Sequence, residues 1–260
     1  MSASNRPAAE GLPTGHYPPS PVAAGHTAPV PRRIRAIYDG ATVVDTTRAT
    51  YVWEHPYYPQ YFIPEADVDA SVLHDDGTIA DSDRGQVRLR SLHHGQRDDE
   101  HSAQYLATST IEGLAATYRF DWEVMDAWYE EDEQVFVHPR SPYVRVDALR
   151  SSRLVRVEID GVVLAQSAAP VAVCETGLPT RWYLDPTAVD FQHLVTSSTQ
   201  TRCPYKGTTS QYWTVRIGSN SYEDLAWNYD FPTRQLSPIA GLICFYNEKV
   251  DLFVDGVPQS

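Results

Sequence analysis

Ile34-Arg35-Ala36-Ile37-Tyr38-Asp39-Gly40-Ala41-Thr42-Val43-Val44 is a pair of β-prone runs around an Asp-Gly, and the pattern returns 121 positions later as Val155-Arg156-Val157-Glu158-Ile159-Asp160-Gly161-Val162-Val163-Leu164. Asp-Gly between two such runs is a strong hairpin signal, because the tight turn needs positive φ that these residues tolerate. Working outward at the same offset, Val52 falls on Val173, Glu54 on Glu175, Val68-Asp69 on Val189-Asp190 and Leu73 on Leu194. From Arg35 on Arg156, eight of 39 columns are identical, where unrelated sequence gives roughly two. The chain is therefore read as two related domains in tandem, each a control for the other.

The 260 residues have room for two domains of ordinary size. Sixteen tyrosines and six tryptophans suit strand-rich cores and pocket walls. A formal charge of −13 disfavours nucleic acid and anionic membranes as partners. Cys174, Cys203 and Cys244 form no C-x-x-C pair, which argues against a disulfide framework and a zinc site. With no apolar stretch long enough to span a bilayer and no signal-peptide pattern, the expectation is a cytoplasmic protein.

Residues 1–31 are rich in proline and read as a disordered arm or one draped on the first domain. The first domain is placed at 32–149 and the second at 150–260, with 139–153 as a short connector. Thr50-Tyr51-Val52-Trp53, Val171-Ala172-Val173-Cys174 and Tyr212-Trp213-Thr214-Val215-Arg216-Ile217 read as strands. A later match at an offset of about 117 sets Val135-Phe136-Val137 on Leu252-Phe253-Val254, so each copy closes with a strand. Asp121 and Ser237-Pro238 suit the starts of short helices. The acidic run from Asp121 to Glu133 reads as a solvated helix end and turn. The expected fold is all-β with short helices: two small barrel-like or sandwich-like domains.

Four stretches of the second copy stand out: Cys174-Glu175-Thr176-Gly177-Leu178-Pro179, Arg202-Cys203-Pro204-Tyr205-Lys206-Gly207, Leu225-Ala226-Trp227-Asn228-Tyr229 and Ser237-Pro238-Ile239-Ala240-Gly241. In this order they resemble the domain-of-unknown-function family 427, with its Glu-Thr-Gly-x-Pro, Cys-Pro-x-Lys-Gly and Ala-Trp-x-Tyr segments. The first copy looks like the divergent partner domain of two-domain members. The resemblance implies a compact β-rich fold and no established reaction. A nucleotidyltransferase label sometimes accompanies the family name, but nothing here resembles the Gly-Ser and paired-aspartate arrangement of those enzymes.

Both copies keep a glutamate after an apolar strand. Glu175 reads either as a general base whose pKa burial raises, or as a structural acceptor for the following turn or an arginine. Cys203, in a turn beside Arg202 and Lys206, is a candidate nucleophile, though no histidine lies near it in sequence. Tyr205 joins these two as a candidate catalytic group. Lys206 and Arg181 are candidates for holding an anionic group, and Tyr183, Tyr212, Trp227 and Tyr229 for lining the same cavity. Asp224 and Tyr246 are acid/base supplements. The first copy has Glu54-His55-Pro56-Tyr57-Tyr58 in place of the Glu-Thr-Gly-Leu-Pro turn, and His55 and Tyr58 could reach across a domain interface. Its adjacent His93 and His94 cannot both face one metal from a strand, so no metal site is expected.

These readings add up to a metal-independent and cofactor-independent enzyme. It would act on a small polar or carboxylated molecule by acid/base chemistry (hydrolysis, isomerisation or elimination). The alternatives are a non-catalytic ligand-binding or regulatory module and a structural scaffold. Pseudo-symmetry suggests packing like an ancestral homodimer, with further homo-oligomerisation open.

Overall fold

A computed structural model describes residues 17–259. The chain divides into two compact units, Pro21–Tyr143 and Val144–Ser260, the latter joined by residues 17–20. Each is built from strands in one topology used twice. In the first unit a large sheet runs Thr27–Pro29, Thr50–Val52, Gln60–Pro64, Thr117–Phe120, Arg97–Leu106, Gly85–His94, Leu73–Ser82, edge to edge. The second unit repeats the order with Val146–Arg150, Val171–Glu175, Arg181–Leu184, Ile243–Phe245, Asn220–Asn228, Gln211–Ile217, Leu194–Ser197. A four-stranded sheet containing the Asp-Gly hairpin accompanies each large sheet, giving a sandwich-like pair without barrel closure. Asp39, Gly40, Asp160 and Gly161 all take the positive φ that the hairpin turn demands.

Period-two alternation explains how each large sheet comes to be covered on both faces. In the second unit Ala172, Trp182, Leu184, Ile243 and Phe245 face the smaller sheet and form the inter-sheet core. Val171, Val173, Tyr183, Cys244 and Trp227 point the other way, under Leu236 and Ile239 of the segment that follows Tyr229. Each large apolar side chain so buried is worth about 1.5–3 kcal/mol. The candidate site lies on this outer face.

Four expectations change. The arm and the connector each contribute a strand: Thr27–Pro29 pairs with Thr50–Val52, and Val146–Arg150 with Val171–Glu175. Disorder therefore does not hold for the end of the arm, and residues 1–16 lie outside the described residues. The first of these strands is an edge strand, where Pro29 costs no ladder bond on its free side. The domain boundaries consequently sit before these strands and not after them.

The helical segments among the described residues are all short 3-10 turns. The longest, Arg234–Ile239, begins after Thr233, whose side chain makes no capping bond, and Pro238 lies inside it. Asp121 precedes Trp122–Val124 without capping it, because its carboxylate is taken by Arg119.

Closing strands match at an offset of 124, not 117: Trp128 pairs with Ala36 as Leu252 pairs with Val157. Glu131 and Asp255 confirm that offset. Each has positive φ, and each donates its backbone N–H to the residue before the hairpin, Arg33 and Leu154 respectively.

The acidic run covers the 3-10 turn Trp122–Val124 and the hairpin of Ala127–Glu130 with Glu133–Val135; Glu131, Asp132 and Glu133 are solvated at its turn, but Glu130 points inward. It is 2% exposed, accepts from the Tyr61 hydroxyl at 2.7 Å and pairs with Arg32 and Arg140. Buried carboxylates need such partners. Among the described residues no helix is long and apolar enough to cross a membrane.

Candidate functional site

A cavity of about 210 Å3 opens on the outer face of the second unit's large sheet, lined wholly by residues of that unit. Its floor comes from the alternation just described. Glu175 ends its strand on the face of Val171 and Val173, while Arg181 and Tyr183 share that face on the neighbouring strand. The roof is the connection 198–210, which replaces the two-residue turn Asp83-Arg84 of the first unit. A two-stranded ladder, Arg202–Cys203 with Gly207–Thr208, folds this connection back on itself and brings Cys203 and Lys206 to the cavity. Gly207 takes φ +99°, which a side chain would resist. The roof is pinned by the Thr233 hydroxyl donating to the Tyr205 carbonyl at 2.6 Å and by the Thr233 N–H on the Lys206 carbonyl at 3.0 Å.

The Lys206 ammonium donates to Glu175, and the two side chains are only 12% and 10% exposed. Burial works to lower the Lys206 pKa, but the neighbouring Cys203 and Glu175 outweigh it and hold the ammonium above its ordinary range. The lone general base expected at Glu175 is thus one half of a buried ion pair. Its structural reading is met by a lysine in place of an arginine, while the Thr176 hydroxyl bonds Arg145 instead. Arg181 is also engaged: its guanidinium is bidentate on Glu248 at 2.5 and 2.9 Å, and that bond holds the Glu248 carboxyl below its usual range.

Aromatic groups make the remaining wall. Trp227 sits 4.4 Å from Tyr246 between ring centroids and donates its indole N–H to the Tyr183 hydroxyl at 3.3 Å. The Thr201, Tyr212 and Tyr246 hydroxyls form a chain at 3.0 and 3.2 Å. Burial pushes the Tyr183, Tyr229 and Tyr246 phenols well above their ordinary pKa, so they stay protonated and act as hydrogen-bond donors.

The structure brings Glu175, Arg181, Tyr183, Cys203, Lys206, Tyr212, Trp227 and Tyr229 to one cavity. Tyr205 is not among the lining residues. The supplement Tyr246 lines the cavity, whereas Asp224 does not and accepts from the Thr199 hydroxyl at 2.6 Å. Thr201 carries no signal in the sequence. Its place in the hydroxyl chain follows from the fold of the roof. All three cysteines are free; Cys244 is fully buried, with its thiol pushed up to about 12 by burial. Among the described residues no group of three or more His, Cys, Asp and Glu side chains converges.

The first unit shows what its copy of the site became. Ladder registers place Phe62 where the second unit has Tyr183, Leu89 at Tyr212, Gln104 at Trp227 and Leu106 at Tyr229. Phe62 and Leu106 are buried in an apolar cluster with Val52, Val87 and Leu114. Glu54 persists and pairs with Arg84 at 2.9 Å, a cation from the same connection that supplies Lys206 in the other copy. His55 and Tyr58 pack on one another, and Tyr58 stacks on His138 within this unit.

The fold and site define a class: tandem two-sheet β domains, the second carrying a small polar and aromatic cavity with a glutamate–lysine pair. The chain belongs to the family described as a domain of unknown function, DUF427, matching it twice, over residues 26–131 and 147–256. No curated protein matches the chain.

Proposed function

We propose that the second domain binds a small polar or carboxylated molecule in this cavity. One observation carries the reading. In a protein of charge −13, the lining holds three cations, Arg181, Arg202 and Lys206, against one carboxylate, Glu175. At about 210 Å3 the cavity is below the roughly 300–1,000 Å3 of drug-sized ligand sites, which suits a small metabolite.

Binding is favoured over proton-transfer catalysis because Glu175 already spends its carboxylate on Lys206. Acid/base chemistry is the second reading, supported by the edge that both partners keep on the cavity. A ligand that drew Lys206 away would free Glu175 to take a proton. Three free thiols suit a reducing compartment, so the proposed location is the cytoplasm.

The test is a thermal-shift screen of small carboxylates, phosphates and neutral polar molecules on the wild type, Lys206→Ala and Glu175→Gln. A carboxylate that raises the wild-type midpoint and not that of Lys206→Ala supports the site. Turnover lost in Glu175→Gln with binding kept would establish catalysis. A screen with no shift for any compound overturns the binding reading.

A further inference from the structure

Tyr229 is 5% exposed and lines the cavity, yet among the described residues its hydroxyl has no hydrogen-bond partner. The other three phenols of that wall are engaged, Tyr212 and Tyr246 with one another and Tyr183 with the Trp227 indole. Nor can the Tyr229 ring swing out. Its carbonyl accepts from the Gly241 N–H at 2.8 Å, a bridge ties it to Ala240, and its ring packs in the cluster with Tyr183, Leu236 and Ile239. The ring is fixed while its hydroxyl is open to the cavity, so an acceptor bound there can take the hydrogen bond that no protein group takes.

We infer that Tyr229 is the residue that selects the ligand, donating its O–H to an anionic oxygen (of a carboxylate or a phosphate) whose charge is met by the Lys206 ammonium. The inference rests on the binding reading above and assigns its ligand class. Tyr229 serves as a donor and not as a base, since burial keeps its proton on. Lys206 has two further N–H groups beyond the one given to Glu175. The neighbours of the Tyr229 hydroxyl, Cys203, Tyr212, Cys244 and Tyr246, are themselves hydroxyl and thiol groups. The first unit has Leu106 at this place, buried among apolar side chains. The stoichiometry is therefore one anion per chain.

The experiment uses the full chain with 13Cζ-labelled tyrosine, the Tyr229 signal being identified by Tyr229→Phe. Sodium acetate, inorganic phosphate and neutral acetamide are titrated as probes. The expected result is a saturable shift of the Tyr229 signal with acetate or phosphate and not with acetamide, at one site per chain. Whichever anion is bound should weaken about tenfold in Tyr229→Phe, as loss of a hydrogen bond to a charged group requires. Preference between acetate and phosphate distinguishes the two sources of the oxygen. If a probe moves the Tyr212 or Tyr246 signals while Tyr229→Phe binds it as tightly as the wild type, this inference falls and the binding reading stands. If no probe moves any cavity signal, the binding reading falls and takes the inference with it.

Discussion

Lys206→Met keeps the stem of the side chain and removes the ammonium, leaving the Glu175 carboxylate, 10% exposed, without its ion partner. Breaking a buried pair from one side costs about 3–5 kcal/mol, because the surviving charge is left desolvated. Glu175 borders a cavity and is not fully shut off from solvent, so the lower end applies, about 3 kcal/mol. For a domain of this size 1 kcal/mol moves the midpoint by roughly 4 °C, and the second domain should melt roughly 12 °C lower. Glu175→Gln combined with Lys206→Met removes both charges at nearly constant volume and should recover to within about 1 kcal/mol of the wild type. Two domains need not unfold together, so the assay is hydrogen exchange by mass spectrometry in a urea series, read on peptides from each domain separately. First-domain peptides should be unchanged. If the single variant loses less than about 1 kcal/mol, or the double variant is no better than the single, the pair behaves as a solvated surface contact and the reasoning fails.

Three further outcomes are expected. Gly177 takes φ +73°, and an added Cβ would lie 3.3 Å from the Pro19 Cα; Gly177→Ala should cost about 1–2 kcal/mol in urea unfolding, and an unchanged midpoint would contradict the described turn. A thiol reagent should modify Cys203 first and Cys244 only after denaturation, since Cys244 is fully buried with its thiol pushed up to about 12; equal rates would refute the cavity geometry. Glu248 is held below its ordinary 4.5 by the hydrogen bond from Arg181, so its stabilisation is present above pH 4.5 and is lost as pH falls through the depressed value. Glu248→Gln should flatten that acid limb, and an acid limb identical to the wild type's would remove Glu248 as its source.

Which parts of this were readable in the chain follows from how local each signal is. The Asp-Gly hairpins are set by the positive φ of two adjacent residues, and they stand where the repeat puts them. The lining residues of the central strands follow from alternation, since Val173, Glu175, Arg181 and Tyr183 are separated from the inter-sheet core by a period of two. Thr27–Pro29 was hidden because an edge strand can be built from Thr-Ala-Pro once a neighbour supplies the ladder. The closing strands misalign in sequence because Val135-Phe136-Val137 resembles Leu252-Phe253-Val254 in composition, whereas pairing depends on the partner strand. Glu130 looked solvated within an acidic run, and only the cations it meets, Arg32 and Arg140, explain why it is inside.

By itself the sequence determines that there are two related all-β domains and that the second keeps the motif residues, because repeats, turn chemistry and strand periodicity are properties of neighbouring residues. Which groups are free to act is decided by tertiary structure. Glu175 and Lys206 lie in different strands and loops, as do Arg181 and Glu248, and only the folded chain shows each pair consuming its own charge. The same long-range packing leaves the Tyr229 hydroxyl without a partner at the wall of the cavity, because hydrogen bonding there depends on which distant segments the sheet brings within reach.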